Sequence, residues 1–271
     1  MTGSKPPPRI LAIAGSDSSG GAGIQADIKT ITMLGGYAMS AITAVTAQNS
    51  LGVQAIAPMG GEIVSKQIAS CVEDIGVDAI KIGMLHDSEI LGAVCSALER
   101  ADSNVPIVLD PVMISTSGAA LIAPDTVELL RERLFPRATL VTPNLPELEH
   151  LAGRTLATLE QMQHAALELA QAYGCFVLAK GGHTEDHRVI DTLVGPADER
   201  AVAFNHARLD TRHTHGTGCT LSSAIAVLLG HGQPLEHAVR LARSFVYRAI
   251  EGAPGFGAGN GPLGHQAVRG G

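Results

Sequence analysis

Short apolar runs alternate along this chain with longer segments in which apolar residues recur every three or four positions. The short runs predict β-strands at 9–14, 41–47, 53–57, 79–82, 107–109, 139–141 and 176–178. The longer segments predict helices at 24–34, 62–75, 87–100, 124–134 and 158–173. Strands that are apolar on both faces and separated by helices are typical of a mainly parallel, doubly wound sheet with a helical layer on each side.

The end of the chain departs from this alternation. Strands predicted at 189–194 and 201–204 have no helix between them, which indicates a hairpin near one edge of the sheet. Two helices, at 218–229 and 234–250, complete the pattern. Because no linker or internal repeat interrupts it, we expect a flexible N-terminal segment at 1–8 and a single domain at 9–271.

Composition narrows the class of protein. The 271 residues are 45% hydrophobic and 17% charged, which is enough apolar side chain for a large core. A net charge of −7 without a basic run argues against a nucleic-acid partner. The four cysteines form no CxxC pair and no zinc-ligand spacing, and no apolar run is long enough to span a membrane. We therefore expect a cytoplasmic protein that does not associate with membranes.

The segment HTHGTGCT at 213–220 carries the strongest chemical signal, because two glycines and a cysteine precede the apolar helix at its N-terminus. Unpaired N–H groups in the first turn of a helix and the helix dipole attract anions, and Gly216 and Gly218 would let a phosphate approach the backbone. A helix N-terminus also lowers a cysteine pKa, so we expect Cys219 to be partly ionised and able to accept a proton. Alternatively, the glycines only shape the helix entry and Cys219 is a small core residue.

Polar residues directly follow three other predicted strands. Asp110 follows the run at 107–109, Asn144 and Glu147 follow 139–141, and Lys180 follows 176–178. In open α/β sheets, ligands bind beyond the carboxyl ends of the strands. Together these side chains could hold a divalent cation and phosphate oxygens, as phosphoryl transfer requires. Each also has a structural reading: Asp110 as a turn residue, the Asn144 and Glu147 spacing as a helix cap, and Lys180 as a solvated cation.

A dinucleotide site is the main competing hypothesis. Residues 21–26 (GAGIQA) match GxGxxA between a predicted strand and a predicted helix. Such a site also uses an acidic residue about 20 positions further on to bind the ribose, but no Asp or Glu occurs from 28 to 61. A Walker A sequence is also absent. These two absences argue against a dehydrogenase and a P-loop enzyme.

Several long motifs resemble the hydroxymethylpyrimidine/phosphomethylpyrimidine kinases of thiamine biosynthesis, members of the ribokinase-like superfamily. The motifs are 14–27 (AGSDSSGGAGIQAD), 44–49 (AVTAQN), 81–85 (KIGML), 109–113 (LDPVM), 142–147 (TPNLPE), 180–183 (KGGH) and 213–224 (HTHGTGCTLSSA). The resemblance runs in order from about residue 9 to about residue 265. It implies a three-layer α/β/α fold, ATP and Mg²⁺ as cofactors, a pyrimidine alcohol and its phosphate as small-molecule substrates, and a homodimer.

The same resemblance implies roles for individual residues. It places Cys219, Gly216 and Gly218 in the catalytic anion hole. It places Gly15, Asp27, Gln48, Met84 and Val112 in the pyrimidine pocket. It places Asp110, Asn144, Lys180 and Thr217 at the nucleotide, and Glu147 with Asp110 at the metal. Thr116 is a departure, because many relatives carry a lysine there.

Two other functions stay open from the sequence. A pyridoxine or pyridoxal kinase would share the fold and the phosphate site. A phosphate-binding protein without turnover would bind ligands and release no ADP. Since Gln48 can both donate and accept hydrogen bonds, it is suited to reading a ring nitrogen and an exocyclic amine. With no Trp and 3% aromatic residues, the chain offers Met84 and Val112 as the apolar support for a ring.

Overall fold

A computed structural model describes residues 6–100, 102, 104–113, 122–182, 187–197 and 200–268. Within these ranges the chain forms one nine-stranded sheet in the order β3-β2-β1-β4-β5-β6-β7-β8-β9. The strands are β1 (Arg9–Asp17), β2 (Tyr37–Asn49), β3 (Gly52–Pro58), β4 (Ala79–Ile82), β5 (Ile107–Leu109), β6 (Leu140–Val141), β7 (Phe176–Ala179), β8 (Arg188–Val194) and β9 (Val202–Ala207). The six strands from β2 to β7 in the sheet order are parallel, and β3, β8 and β9 are antiparallel additions at the two edges.

Helices cover both faces of the sheet. They are α1 (Gly23–Met33), α2 (Gly61–Ser70), α3 (Ser88–Leu98), α4 (Pro124–Arg133), α5 (Leu145–Ala152), α6 (Leu159–Tyr173), α7 (Thr217–Gly230) and α8 (Leu235–Glu251). Helices α2 to α6 pack on one face in a single apolar cluster. Helices α1, α7 and α8 pack on the other face, where α7 is buried along most of its length. The predicted three-layer α/β/α architecture with a mainly parallel sheet is confirmed.

Most differences from the predicted elements lie at their ends. β1 continues past the predicted end at 14, across a bulge, as far as Asp17, where it still pairs with β2. β2 is 13 residues long, and its last residues pair with β3 in an antiparallel ribbon. Gln48 therefore lies inside β2, at a second bulge, and not after its end. The short helix α5 is missing from the predicted helices, because its two turns are too short for a clear apolar period.

The predicted domain start at 9 coincides with the first residue of β1. Pro8 is already buried, and its carbonyl accepts a hydrogen bond from Tyr37 N–H at 2.8 Å. Residues 1–5 lie outside the described part of the chain. Among the residues that the structure describes, no helix combines the length and the apolar character needed to cross a bilayer.

A buried ion pair joins the sheet to two helices. Lys81 of β4 donates to both carboxylate oxygens of Asp27 in α1, each at 2.9 Å, and neither side chain is exposed to solvent. Ser223 of α7 donates to the same carboxylate at 2.7 Å. Burial alone would lower the pKa of Lys81, but the Asp27 carboxylate raises it, so the ammonium keeps its charge. The three elements are thus fixed to one another through two mutually neutralising charges.

Removing either partner of this pair should be strongly destabilising. Asp27→Ala leaves the Lys81 ammonium buried and uncompensated, and we expect a loss of about 3 to 5 kcal/mol in the free energy of unfolding. The double variant Asp27→Leu/Lys81→Met should recover most of this loss, since it leaves no buried charge. Urea unfolding of the three proteins measures the difference.

The matched control is Glu62→Ala, which removes one partner of the exposed Glu62–Lys66 pair. It should leave the unfolding midpoint nearly unchanged, because solvent screens such pairs. A double variant as unstable as Asp27→Ala, or less stable, would contradict the electrostatic explanation.

Candidate active site

The predicted site residues converge on one cavity of about 740 Å³ at the carboxyl edge of the sheet. The chain leaves β1, β4, β5, β6 and β7 on this edge, and the N-terminus of α7 closes the cavity from the helical layer. The predicted residues that line it are Gly15, Gln48, Met84, Asp110, Val112, Asn144, Glu147, Lys180, Gly216, Thr217, Gly218 and Cys219. Thr116 and His183 lie outside the described residues.

Asp27 departs from its expected place. It does not line the cavity, and its side chain is completely buried in the ion pair with Lys81. Three donated hydrogen bonds, two from Lys81 and one from Ser223, already satisfy its carboxylate. Asp27 therefore lies beneath the cavity lining and does not face the space where a substrate was expected to contact it.

The first turn of α7 lines one end of the cavity, where the N-terminus of a helix favours an anion. Gly216 caps the helix in the left-handed conformation with φ of 87°, and a Cβ there would lie 1.9 Å from the carbonyl oxygen of Gly21. Only glycine fits this close approach. A Cβ on Gly218 would lie 3.2 Å from Asp110 and 3.3 Å from the Lys180 ammonium. The backbone of the helix N-terminus, a cation and a carboxylate thus meet at one point.

Cys219 stands in this turn, but its chemistry differs from the expectation. Cys219 is half-buried, and the backbone N–H of Gly23, at the start of α1, acts to lower the pKa of its thiol. Burial raises the pKa of the thiol to about 11; Lys81 opposes this rise, and the carboxylates of Asp27 and Asp110 add to it. The predicted lowering of the pKa is wrong, because desolvation and two nearby carboxylates outweigh the helix N-terminus.

Lys180 and the carboxylates of Asp110 and Glu147 lie together in the cavity, beside the first turn of α7. The Lys180 ammonium donates to Asp110 at 2.9 Å, and Thr142 donates to the same carboxylate oxygen at 3.0 Å. Burial alone would lower the pKa of Lys180, but Asp110 and Glu147 raise it. Lys180 is therefore a partly buried cation paired with Asp110 and not a solvated one, contrary to the alternative reading of the sequence.

The helix-cap reading of Asn144 and Glu147 is confirmed. Asn144 N–H donates to the Glu147 carboxylate at 2.8 Å, and Glu147 N–H donates to the Asn144 side-chain oxygen at 2.9 Å, forming a capping box at α5. Burial raises the pKa of Glu147 to about 7; Lys180 opposes this shift and Asp110 adds to it. A capping residue that also faces the cavity remains available to a cation.

Two carboxylates suit Mg²⁺ only when a substrate supplies further ligands. In the part of the chain that the structure describes, no group of three or more His, Cys, Asp or Glu side chains could hold a metal by itself. Mg²⁺ commonly binds to one or two carboxylates together with phosphate oxygens and water. Asp110 and Glu147 fit this mode, in which the metal arrives with a nucleotide.

The opposite end of the cavity is apolar with a polar rim. Met84 and Val112 pack with Ala44 and Ile56 in a small hydrophobic cluster. A Cβ on Gly15 would lie 2.5 Å from the methyl carbon of Met84, so glycine is needed there to keep Met84 in place. This end could hold a small flat ring against the methionine.

Two groups of polar residues at the cavity were missed from the sequence. Asp17 and His215 lie at the apolar end, joined at 2.9 Å between Oδ2 and Nε2. Asp191, His206 and Arg243 also line the cavity, and Arg243 donates to Asp191 at 2.7 Å and contacts His206 at 2.8 Å. His215 and Asp17 stand inside motifs quoted above, so a search for side chains within reach of those loops could have found them. No sequence spacing links Arg243 to β8 and β9.

Comparison with solved structures defines the class of protein. The chain superposes on a pyridoxal kinase from Staphylococcus aureus, solved in complex with AMP-PCP and pyridoxal, with a TM-score of 0.87 and 32% identity over 97% of this chain and 94% of that one. The fold is therefore the ribokinase-like α/β fold, and the protein is a kinase.

Sequence comparison defines the family. The family model described as phosphomethylpyrimidine kinase matches residues 17–264, and the chain belongs to this family. The hydroxymethylpyrimidine/phosphomethylpyrimidine kinase of Streptomyces coelicolor is 45% identical over 96% of this chain and 94% of its own length. The protein of the same name from Bacillus subtilis is 41% identical over 96% of both chains.

The charge on Glu147 should make stability depend on pH. Its pKa of about 7 lies above the usual 4.5, so the stability it contributes is present below pH 4.5 and is lost as the pH rises through 7. Glu147→Gln keeps an acceptor for Asn144 N–H and removes the charge. Between pH 4 and 9 without Mg²⁺, we expect the wild type to lose up to about 3 kcal/mol relative to this variant, measured by urea unfolding.

The same variant should need more Mg²⁺ for ATP turnover, because one carboxylate oxygen is lost. If the difference in unfolding free energy between the wild type and Glu147→Gln is the same at every pH, and the Mg²⁺ requirement is unchanged, Glu147 has only its capping role.

Proposed function

We propose that this protein transfers the γ-phosphoryl group of ATP to 4-amino-5-hydroxymethyl-2-methylpyrimidine and then phosphorylates the monophosphate with a second ATP. The pyrophosphate product would serve thiamine diphosphate biosynthesis. The observation that carries the proposal is the meeting of the α7 N-terminus, Lys180 and Asp110 at Gly218, across the cavity from the ring-sized apolar end. Membership of the phosphomethylpyrimidine kinase family supports the choice of acceptor.

The apolar end of the cavity suits the pyrimidine. Met84 and Val112 would support the ring faces, and Gly15 leaves room for them. Gln48 lines the same end and is half-buried, so its carboxamide could donate to a ring nitrogen and accept from the exocyclic amine. The hydroxymethyl group would then point toward Cys219 and the anion hole.

The polar end suits the triphosphate. Lys180 and the first-turn amides of α7, from Gly216 to Cys219, would bind the transferring phosphoryl group, and Asn144 and Thr217 would contact the nucleotide. Asp110 and Glu147 would hold Mg²⁺, which neutralises phosphate charge when bound. Local positive charge is needed here because the protein carries a net charge of −7.

In the first transfer, the acceptor hydroxyl oxygen forms a bond to the γ-phosphorus, the bond from that phosphorus to the β,γ-bridging oxygen breaks, and ADP leaves. The hydroxyl proton needs an acceptor, and Cys219 is the candidate base. With a pKa of about 11, only about one thiol in 10⁴ is ionised at pH 7. A base of this kind is strong but scarce, so the reaction should speed up as the pH rises.

A pyridoxal kinase activity is the second candidate. It is favoured by the superposition on the Staphylococcus aureus pyridoxal kinase over nearly the whole chain. The greater identity to the hydroxymethylpyrimidine/phosphomethylpyrimidine kinases favours the pyrimidine as the main acceptor.

We also propose that the protein works as a homodimer in the cytoplasm. Large apolar side chains on β2 and the following turn are exposed, with Tyr37 at 51%, Val45 at 46% and Leu51 at 68%. Such a surface is typical of protein contacts. The four cysteines are all free, in keeping with a reducing compartment.

Measurement of ADP release with each acceptor in turn tests the proposed function. We expect the highest kcat/KM with the hydroxymethylpyrimidine or its monophosphate and a lower value with pyridoxal. Product analysis by mass spectrometry should show one and then two added phosphoryl groups. Pyridoxal as the best acceptor would replace the main proposal by the second, and ligand binding without ADP release would exclude a kinase.

The role of Cys219 predicts different pH profiles for the two transfers. An alcohol keeps its proton at pH 7, whereas a phosphate monoester with a second pKa near 6 already offers an anionic oxygen. Cys219→Ala should slow the first transfer by roughly 10²- to 10⁴-fold and the second by distinctly less. In the wild type, the single-turnover rate of the first transfer should rise about tenfold per pH unit between pH 7 and 9, and this rise should vanish in the variant.

Cys71→Ala is the matched control, because this half-buried thiol lies outside the cavity lining. It should change neither transfer. A flat pH profile in the wild type, or equal losses in both transfers for Cys219→Ala, would assign Cys219 to positioning and not to proton transfer.

A further inference from the structure

The substrate end of the cavity contains a hydrogen-bonded series of side chains, Asp17, His215, Gln48 and Thr46, that the assigned roles do not explain. We infer that Asp17 and His215 are positioning residues that hold the Gln48 carboxamide in one of its two orientations, with its oxygen toward His215 and its nitrogen toward Thr46. They thereby determine which donor and acceptor pattern on a ring the cavity accepts. This inference rests on the proposed role of Gln48 as the reader of the pyrimidine.

The position of the proton on His215 follows from its partner. Asp17 is almost completely buried, and its carboxylate accepts four hydrogen bonds from its own loop. The donors are Ser19 N–H at 2.8 Å, Ser19 Oγ at 2.8 Å, Gly21 N–H at 3.1 Å and Ala22 N–H at 2.8 Å. Burial alone would raise the pKa of Asp17, but the hydrogen bonds from His215 and Ser19 lower it, so the group is a carboxylate. A carboxylate only accepts, so His215 Nε2, 2.9 Å away, must carry a proton.

That proton decides the orientation of Gln48. Gln48 Nε2 lies 3.4 Å from His215 Nε2, and two N–H groups facing each other form no hydrogen bond. A 180° turn of the carboxamide exchanges its nitrogen and oxygen in nearly the same volume. The oxygen then faces the protonated His215 Nε2 and shares its proton with Asp17 in a three-centre hydrogen bond, in which Asp17 is the nearer acceptor.

The contact of the carboxamide with Thr46 favours the same orientation of Gln48. It lies 3.2 Å from Thr46 Oγ1, whose single proton also has the Ser16 carbonyl oxygen as an acceptor at 3.0 Å. If Thr46 donates to Ser16, its oxygen is free to accept from the Gln48 nitrogen. The turned carboxamide therefore satisfies both neighbours, while the opposite orientation satisfies only one.

The backbone around the carboxamide is fixed. Gln48 N–H donates to Ser18 Oγ at 2.9 Å, and the same hydroxyl lies 2.9 Å from the Gln48 carbonyl oxygen. His215 N–H donates to the Gly261 carbonyl at 3.1 Å, and a Cβ on Gly21 would lie 2.4 Å from the His215 ring. With both backbones held, the contacts of the carboxamide with His215 and Thr46 decide its orientation.

A fixed carboxamide offers one lone pair on the His215 side and one N–H on the Thr46 side. A ring with an exocyclic amine beside an unprotonated ring nitrogen matches this pattern. The 4-oxo counterpart of the pyrimidine, with a carbonyl beside a protonated ring nitrogen, presents the reverse pattern and would leave buried groups unpaired.

The test compares kcat/KM for 4-amino-5-hydroxymethyl-2-methylpyrimidine and its 4-oxo counterpart. The wild type should prefer the amino compound on the order of 10²- to 10⁴-fold. His215→Leu should reduce this ratio at least tenfold, because the carboxamide can then turn to suit either ring, while KM for ATP stays unchanged. Asp17 keeps its four loop donors in this variant, so the fold should survive. His215→Gln, which returns an N–H toward Asp17, should restore the preference.

His231→Leu is the matched control, since His231 lies at the opposite end of α7 and contacts the Leu34 carbonyl. It should keep the wild-type ratio. Thr46→Val is a nearly isosteric change on the other side of the carboxamide and should lower the ratio as His215→Leu does. It replaces His215→Leu in the test if that variant is unstable. In Gln48→Leu the preference should disappear, and adding His215→Leu should change it no further.

The outcomes separate the two levels of the proposal. If Gln48→Leu abolishes the preference while His215→Leu and Thr46→Val keep it, the positioning role is overturned and the proposed function stands. If Gln48→Leu keeps the preference, Gln48 is not the reader, and the inference falls with that assignment. If the wild type phosphorylates neither pyrimidine, the proposed function itself is overturned.

Discussion

The ion pair between Lys81 and Asp27 is the interaction on which the rest of the site depends. It joins β4, α1 and α7, and the two helices place Gly23 and Cys219 in the cavity lining. A charged pair without solvent access is stable only when its geometry is maintained. The two helices that begin at the cavity are therefore held at a fixed height above the sheet, and the backbone amides that face a phosphate are held with them.

The second constraint is the concentration of acidic groups in a protein that binds a polyanion. Asp110 and Glu147 lie beside Lys180, and the pKa values of Glu147 and Cys219 are raised in the same region. Burial is the main cause of both pKa shifts, and the nearby carboxylates add to it. A cation arriving with the nucleotide would relieve this excess of negative charge, and the affinity of the carboxylates for the metal would then depend on the ligand that accompanies it.

The sequence predicted the order of elements and most of the cavity lining because both follow from local patterns. Parallel strands place their carboxyl ends on one edge, so residues after separate strands converge without any long-range information. The ends of β1 and β2 were missed because a bulge and an antiparallel ribbon continue pairing past the apolar runs. The state of Cys219 was predicted wrongly because its pKa depends on burial and on Asp27 and Asp110, which only the folded chain brings near. Asp17 and His215 are 198 positions apart, and no sequence period connects them.

Most side chains at the apolar end of the cavity come from the first half of the chain, and His215 is the exception. Gly15, Gln48, Met84 and Val112, at the ring end, all precede residue 113, whereas the phosphate end is built mainly after residue 140. The HTHGTGCT loop connects them, because Gly216 touches Gly21 on one side and begins α7 on the other. An exchange of side chains in the first half alone could therefore change the acceptor and leave the phosphate machinery intact. The similarity of this fold to the pyridoxal kinases is expected if the acceptor end of the cavity changed in evolution while the phosphate end was kept.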